Sequence, residues 1–251
     1  MFRFSPANTK LEKLYRYADS SLKEWLSDSR KKVYSIDLLS GYSCPMAHLC
    51  LSRAKKLTNG KRIIQDGPNT QHRCYSASQE AQYPAVYDKR AENLKVLSRA
   101  KTEAEIYAIL ASSLPLDAGV IRGGGSGDFF SIEYFRAFLR LARENPTVLF
   151  YAYTKCLSFW VDNREEVESL PNLVMTASRG GLEDHLIDQH ALREAVVVLS
   201  ANESDYVGEL DETDIHAADP ARRNESFRLL IHGSQPAGSA ASKALQILKT
   251  A

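Results

Sequence analysis

Short apolar runs recur along this chain, each closed by a turn and followed by apolar residues at helical spacing. The runs are "VYSIDLL" from Val33, "AGVIRG" from Ala118, "TVLFYAY" from Thr147, "NLVMTA" from Asn172, "EAVVVLS" from Glu194 and "FRLLIHG" from Phe227. Between them the helical period is clearest at Ile132, Phe135, Phe138, Leu139 and Ala142, and again at Ala241, Ala244, Leu245 and Leu248. Alternation of this kind implies parallel strands, because parallel neighbours need a crossover connection, usually a helix. Ahead of the first run, Leu11, Leu14, Tyr15, Ala18, Leu22, Trp25 and Leu26 recur at helical spacing with charged residues between them. They predict an amphipathic helix docked on the larger body for packing rather than chemistry. The pattern predicts an α/β fold, a partial (β/α)6 TIM-like barrel of parallel strands with an N-terminal helix. A doubly wound open sheet is the alternative.

Length and composition narrow the setting. The 251 residues can bury a substantial core, and no repeat, low-complexity tract or Pro/Gly/Ser-rich linker marks a boundary. One domain is expected over 1–251, with 1–32 as a helical segment and 33–251 as the barrel-like core. The 32 Lys plus Arg nearly balance the 31 Asp plus Glu, so no global field draws nucleic acid or an anionic membrane. The start "MFRFSPANTKLEK" lacks the apolar core of a signal peptide, and no run has the length of a membrane span. A cytoplasmic protein is expected. In that reducing compartment its four cysteines are metal ligands, reactive thiols or packing residues rather than disulfides.

The unusual residues fall after the strand runs. "SGYSCPMAHLC" follows the first, "GGGSGDFFS" the second, "YTK" the third, "SRGG" the fourth and "HGSQPAGS" the last. In barrels and open α/β sheets alike, the C-terminal strand ends form one rim where ligands bind, so these scattered segments are expected to share one site. Cys44 and Cys50 lie in the first of them and Cys74 in "QHRCYSAS". Turn residues around all three allow their thiolates to converge. A structural zinc site would need a fourth ligand, from His48 or His72. An iron–sulfur cluster fits three cysteines, leaving one iron open to a small ligand or to a side chain, His48 first because it lies between Cys44 and Cys50. Cys156 reads as a small buried apolar residue.

Other rim candidates follow from residue type. Gly123, Gly124 and Gly125 allow a backbone to approach a ligand closely, and Asp128 offers a carboxylate to an ammonium or hydroxyl group, or else caps the next helix. Lys155 and Arg179 offer a point charge and a planar fork to a carboxylate or phosphate, unless they serve structural ion pairs. "HGSQPAGSAASKAL" leads into a helix whose N–H groups suit an anion, with Ser239 as ligand contact or N-cap. No G-x-S-x-G elbow, H-E-x-x-H pair, P-loop or dinucleotide fingerprint is present.

The segments "GYSCPMAHLC", "RCYSAS", "SGDFFSIEYF", "FYAYTK", "PNLVMTASRGG" and "HGSQPAGS", in this order, resemble the phage gene product eighty-eight family, whose members are largely without assigned function. The resemblance runs from about Val33 to Leu248. "GDFF", "YTK" and "PNLVMTAS" are more distantly similar to a second phage family, gene product thirty-seven/sixty-eight, which looks like a radical S-adenosylmethionine (SAM) barrel. That likeness implies a 4Fe-4S cluster in the loop after the first strand and SAM as a possible ligand of the glycine segment. The cysteine spacing departs from it: C-x5-C and a distant third cysteine stand where radical SAM enzymes carry C-x3-C-x2-C. The expected function is therefore an iron–sulfur protein with a radical-SAM-like barrel and a small polar or anionic ligand on the rim. The alternative is a non-enzymatic metalloprotein, zinc or iron–sulfur, that serves a host protein or nucleic acid.

Overall fold

The computed structural model describes residues 1–203, 206 and 208–250. Among the described residues the strands are β1 (Ser5–Pro6), β2 (Lys32–Asp37), β3 (Ser52–Lys56), β4 (Arg62–Asp66), β5 (Ala118–Ser126), β6 (Leu149–Thr154), β7 (Leu173–Ser178), β8 (Glu194–Val198) and β9 (Phe227–Leu230). The helices up to β6 are α1 (Thr9–Glu12), α2 (Lys23–Leu26), α3 (Tyr75–Gln82), α4 (Pro84–Arg99), α5 (Glu103–Ser113) and α6 (Ile132–Glu144). Those beyond it are α7 (Leu157–Asp162), α8 (Arg164–Ser169), α9 (His185–His190), α10 (Ile215–Ala218) and α11 (Ala240–Thr250).

Each of the six apolar runs forms a strand, and these six pair in parallel. Together with β1, which adds antiparallel to β2, they make a seven-stranded sheet in the order β1-β2-β5-β6-β7-β8-β9. The parallel strands lie side by side in chain order. A doubly wound sheet reverses its order at a switch point, so that alternative is ruled out. The sheet is mixed and mostly parallel, and it does not close on itself: β1 and β9 are its two edges.

Side-chain alternation gives the sheet two apolar faces. Ile36, Ile121, Phe150, Ala152, Leu173 and Met175 pack with α5 and α6 on one face. The buried stripe of α6 includes Phe135, Phe138, Leu139 and Ala142, each worth roughly 1.5–3 kcal/mol on burial for the larger side chains. Val33, Val120, Leu149, Tyr151, Val174 and Phe227 point to the other face, where the N-terminal segment and α10 cover them. That segment is not the single helix expected. It breaks into α1, a 3-10 turn over Lys13–Tyr17 and α2, because Asp19, Ser20 and Ser21 compete with helical hydrogen bonding between the apolar positions. The apolar period is nevertheless used, since Leu11, Leu14, Leu22, Trp25 and Leu26 are all buried.

Candidate functional site

The loops after the parallel strands enclose a cavity of about 450 Å³. Cys44, Cys50 and Cys74 line it together, as do Gly124 and Gly125 near the end of β5 and Asp128 after it, Thr154 at the end of β6 and Lys155 after it, Ser178 at the end of β7 and His232 after β9. The shared rim is therefore present, and segments spread over most of the chain meet there.

Backbone and side-chain hydrogen bonds hold the cysteine loop. The N–H and hydroxyl of Ser40 donate to the Glu80 carboxylate at 3.1 and 2.7 Å, and Glu80 also accepts from Ser126 Oγ at 3.0 Å and Arg90 at 3.1 Å. Gly41 has φ of 70°, and a Cβ there would lie 2.6 Å from the Ser52 carbonyl oxygen, so only glycine makes this turn without strain. The turn lets its N–H donate to Cys44 Sγ at 3.4 Å. The Ser52 hydroxyl accepts from the Cys74 N–H at 3.0 Å and donates to the Cys50 carbonyl at 3.1 Å, which ties the second thiol to the third. Across the loop, the Leu49 N–H donates to the Gly180 carbonyl at 2.9 Å and the Leu182 N–H to the Met46 carbonyl at 2.9 Å. "SRGG" thus supports the cysteine loop.

The three thiols lie within electrostatic reach of one another. Burial pushes the Cys44 thiol well above its ordinary value, reinforced by Asp128, Cys74 and Cys50. Burial and Cys50 push Cys74 up to about 11. Both thiols are protonated at neutral pH in the metal-free protein. His72, which also lines the cavity, is lowered to about 4 by burial and by Lys155 and His232, so its imidazole is neutral and keeps a lone pair for a metal. Among the described residues no group of three or more His, Cys, Asp or Glu is arranged to hold a single metal ion.

The remaining sequence candidates divide. His48 sits in the cysteine loop but does not line the cavity; His72 does. Gly123 faces α6, where a Cβ would lie 2.8 Å from the Phe138 ring, so it serves packing while Gly124 and Gly125 border the cavity. Asp128 does not cap α6. Ser131 does so, its hydroxyl accepting from the Tyr134 N–H at 3.3 Å. Asp128 instead accepts from the Phe129 N–H at 2.7 Å, the Thr154 hydroxyl at 2.7 Å and the Lys155 N–H at 2.8 Å, bonds that lower its pKa without fully offsetting the rise caused by burial. The Lys155 ammonium donates to the Ser178 carbonyl at 2.6 Å, the Ser178 hydroxyl at 3.0 Å and the Arg179 carbonyl at 2.8 Å. Its three hydrogens are spent, so it lends the cavity a positive field rather than a donor. Arg179 is not a cation of the cavity: it pairs with Glu194 and, at 2.8 Å, with Asp188. Ser239 caps α11, accepting from the Ser242 N–H at 3.1 Å, and lies outside the cavity lining. Cys156 is buried apart, its thiol donating to the Phe129 carbonyl at 3.0 Å, in keeping with a packing role.

The Gene product 88 family profile matches residues 3–248. The chain belongs to the phage gene product 88 family. No curated protein and no solved structure matches it significantly.

In this gene product 88 protein the sequence reading missed a second set of cavity residues. Arg122 on β5 and Lys10 of α1 both line the cavity, and both contact Asp214, which is fully buried. Arg122 Nη1 lies 2.5 Å from Asp214 Oδ2 and Lys10 Nζ lies 2.5 Å from Oδ1, while the Tyr151 hydroxyl donates to Oδ2 at 3.1 Å. Burial alone would raise the Asp214 pKa, but Arg122 and Lys10 hold it below the ordinary carboxylate range. The Arg122 guanidinium also lies over the Tyr153 ring, 5.1 Å from its centroid. Nearby, His232 stacks on Tyr75 at 5.1 Å, and the Tyr75 hydroxyl donates to the Gly125 carbonyl. One signal was available: an arginine inside the apolar run "AGVIRG" cannot be buried without a partner.

Proposed function

We propose that this protein binds a 4Fe-4S cluster through Cys44, Cys50 and Cys74 and a small polar or anionic ligand in the cavity beside it. The observation that carries the reading is the meeting of these three cysteines, from separate segments, on one cavity from which Cys156 is excluded. A single zinc ion needs ligands converging on one point, whereas a cluster spreads its thiolates over separate irons. Three protein thiolates leave one iron for another ligand, and His72, which lines the cavity where His48 does not, is the side chain we favour for it. The chain-order sequence of six parallel strands supports kinship with a radical-SAM-like partial barrel, with SAM as a candidate ligand beside Gly124 and Gly125. Once bound, such a cluster supplies electron transfer and an open coordination position. The chain's own part is to present the thiols, stabilise Cys44 sulfur through the Gly41 N–H and keep the site partly dry. Loading displaces the protons that burial keeps on Cys44 and Cys74. The host cytoplasm, where thiols stay reduced, is the compartment this reading requires.

The test is purification without oxygen followed by iron and acid-labile sulfide analysis. Wild-type protein and Cys156→Ala are expected to carry both, and Cys44→Ala, Cys50→Ala and Cys74→Ala to carry neither. Stoichiometric zinc without sulfide would replace the cluster with a structural metal. A SAM-dependent change in the electron paramagnetic resonance spectrum of the reduced protein is the outcome that would make SAM the ligand.

A further inference from the structure

The cavity has a second chemical feature besides its thiols. Asp214 is fully buried and holds one cation on each oxygen, Arg122 on Oδ2 and Lys10 on Oδ1. Two cations on one carboxylate leave a surplus positive charge in a site where the Arg122 side chain is only 11 % exposed. Such a charge is costly unless it is compensated. The compensation does not come from Asp128, whose oxygens are taken up by Phe129, Thr154 and Lys155.

The donors that remain point the same way. Of the Arg122 guanidinium, Nη1 is bonded to Asp214 and Nε is sealed in the interior, whereas Nη2 has no hydrogen-bond partner among the described residues, and Arg122 lines the cavity. The Lys10 ammonium makes one ion pair with Asp214 and retains two further hydrogens. The same cavity has an apolar part, to which Val197, Leu229 and Ile231 contribute. Two free cationic donors clamped side by side, one surplus charge and an apolar part match an organic carboxylate, whose two oxygens take one donor each. A phosphate monoester brings more charge and a third oxygen for which no further unpaired Lys or Arg lines the cavity among the described residues, since Lys155 is fully engaged and Arg73 pairs with Asp66 at 2.7 Å.

We propose that Arg122 and Lys10, set in position by Asp214, form a carboxylate-binding end of the cavity, and that the ligand is a small organic monocarboxylate with an apolar body. This names the ligand class of the proposed site and rests on the cavity being a ligand site, not on the metal.

The test uses the full chain purified without oxygen, with 3-phenylpropionate, its neutral amide and phenyl phosphate as probes in calorimetric titration. The acid is expected to bind saturably and the amide about tenfold or more weakly, the worth of one charge-assisted bond. Arg122→Lys keeps a cation for Asp214 but loses the planar fork, and should weaken the acid about tenfold without changing the amide. Lys10→Met, at a side chain 33 % exposed and so tolerant of replacement, should weaken it in the same direction. Circular dichroism melts verify that both variants are folded. Equal binding of acid and amide, acid affinity unchanged in both variants, tighter binding of phenyl phosphate or no saturable binding of the acid would each overturn the proposal. Cys74→Ala separates the two readings. Acid binding retained when metal is lost supports the carboxylate end independently, and acid binding lost there while Arg122→Lys is unaffected would assign the anion to the metal and overturn it.

Discussion

Glu80 and Asp214 are both sealed from solvent and both hold an arginine, yet they do different work. Glu80 accepts from the Ser40 N–H and hydroxyl, the Ser126 hydroxyl and Arg90. Arg90 in turn donates to the Ser76 carbonyl and to Gln79. Every charge in that group is matched, and its effect is mechanical: it clamps the cysteine loop to the end of β5 and to α4. Asp214 faces two cations and leaves one of their charges over, with free donors on the cavity. A saturated buried network fixes geometry, whereas one with a surplus charge has affinity to spare for a ligand.

Removing each carboxylate is the strongest way to break that comparison. Glu80→Ala strands Arg90 in the interior and frees the cysteine loop, so it should cost about 3–5 kcal/mol in chemical denaturation and abolish metal retention. Asp214→Ala strands Arg122 as Glu80→Ala strands Arg90, so it should cost a comparable amount, about 3–5 kcal/mol, but it should leave metal content intact. Loss of metal from Asp214→Ala but not from Glu80→Ala would reverse the assignment of roles.

A smaller effect is expected from pH. The Cys44 and Cys74 thiols are raised in the folded, metal-free protein, Cys74 to about 11 from 9.0, so the unfolded chain loses these protons first as pH rises. Stability of the metal-free protein should accordingly be full below about pH 9 and fall between about pH 9 and 11. Thermal melts should show this slope in metal-free protein and a shallower one in the Cys44→Ala, Cys74→Ala double variant, where the raised Cys156 thiol and the buried Tyr134 and Tyr151 still contribute; an unchanged slope would assign it to those groups alone.

The smallest change expected is at Arg179. Its partners Asp188 and Glu194 lie outside the cavity lining and Asp188 is largely exposed, so Arg179→Met should cost less than about 1 kcal/mol and leave metal and carboxylate binding unchanged. Loss of either binding would restore Arg179 to the site.

What was legible in the sequence followed from burial. The six parallel strands are buried on both faces and therefore read as apolar runs. The stretch between Leu51 and Arg99 was opaque because much of its interior is polar. The buried face of α4 carries Arg90 and Asn93 beside Leu97, and α3 buries Ser76 and Glu80, so neither shows an apolar stripe. The β3-β4 hairpin has the strand "SRAKK", with only Ser52 and Ala54 buried, and its one clear signal is the Asn59–Gly60 turn. The rim argument located the site but not its chemistry. The parallel-strand pattern named Arg179 and passed over Arg122, and only three-dimensional neighbours show that the first is neutralised outside the cavity while the second lines it.

The cavity takes one wall from Asn8, Thr9 and Lys10 and another from Leu229, Ile231 and His232. A ribosome therefore releases the first wall well before the second, and no growing chain that stops short of Leu229 contains the complete pocket. The three cysteines emerge between the two walls and wait for the second. During that interval they are solvated thiols of ordinary acidity, without the burial that later keeps Cys44 and Cys74 protonated. The growing chain, more than the finished protein, is thus the form in which oxidants and metal donors compete for them.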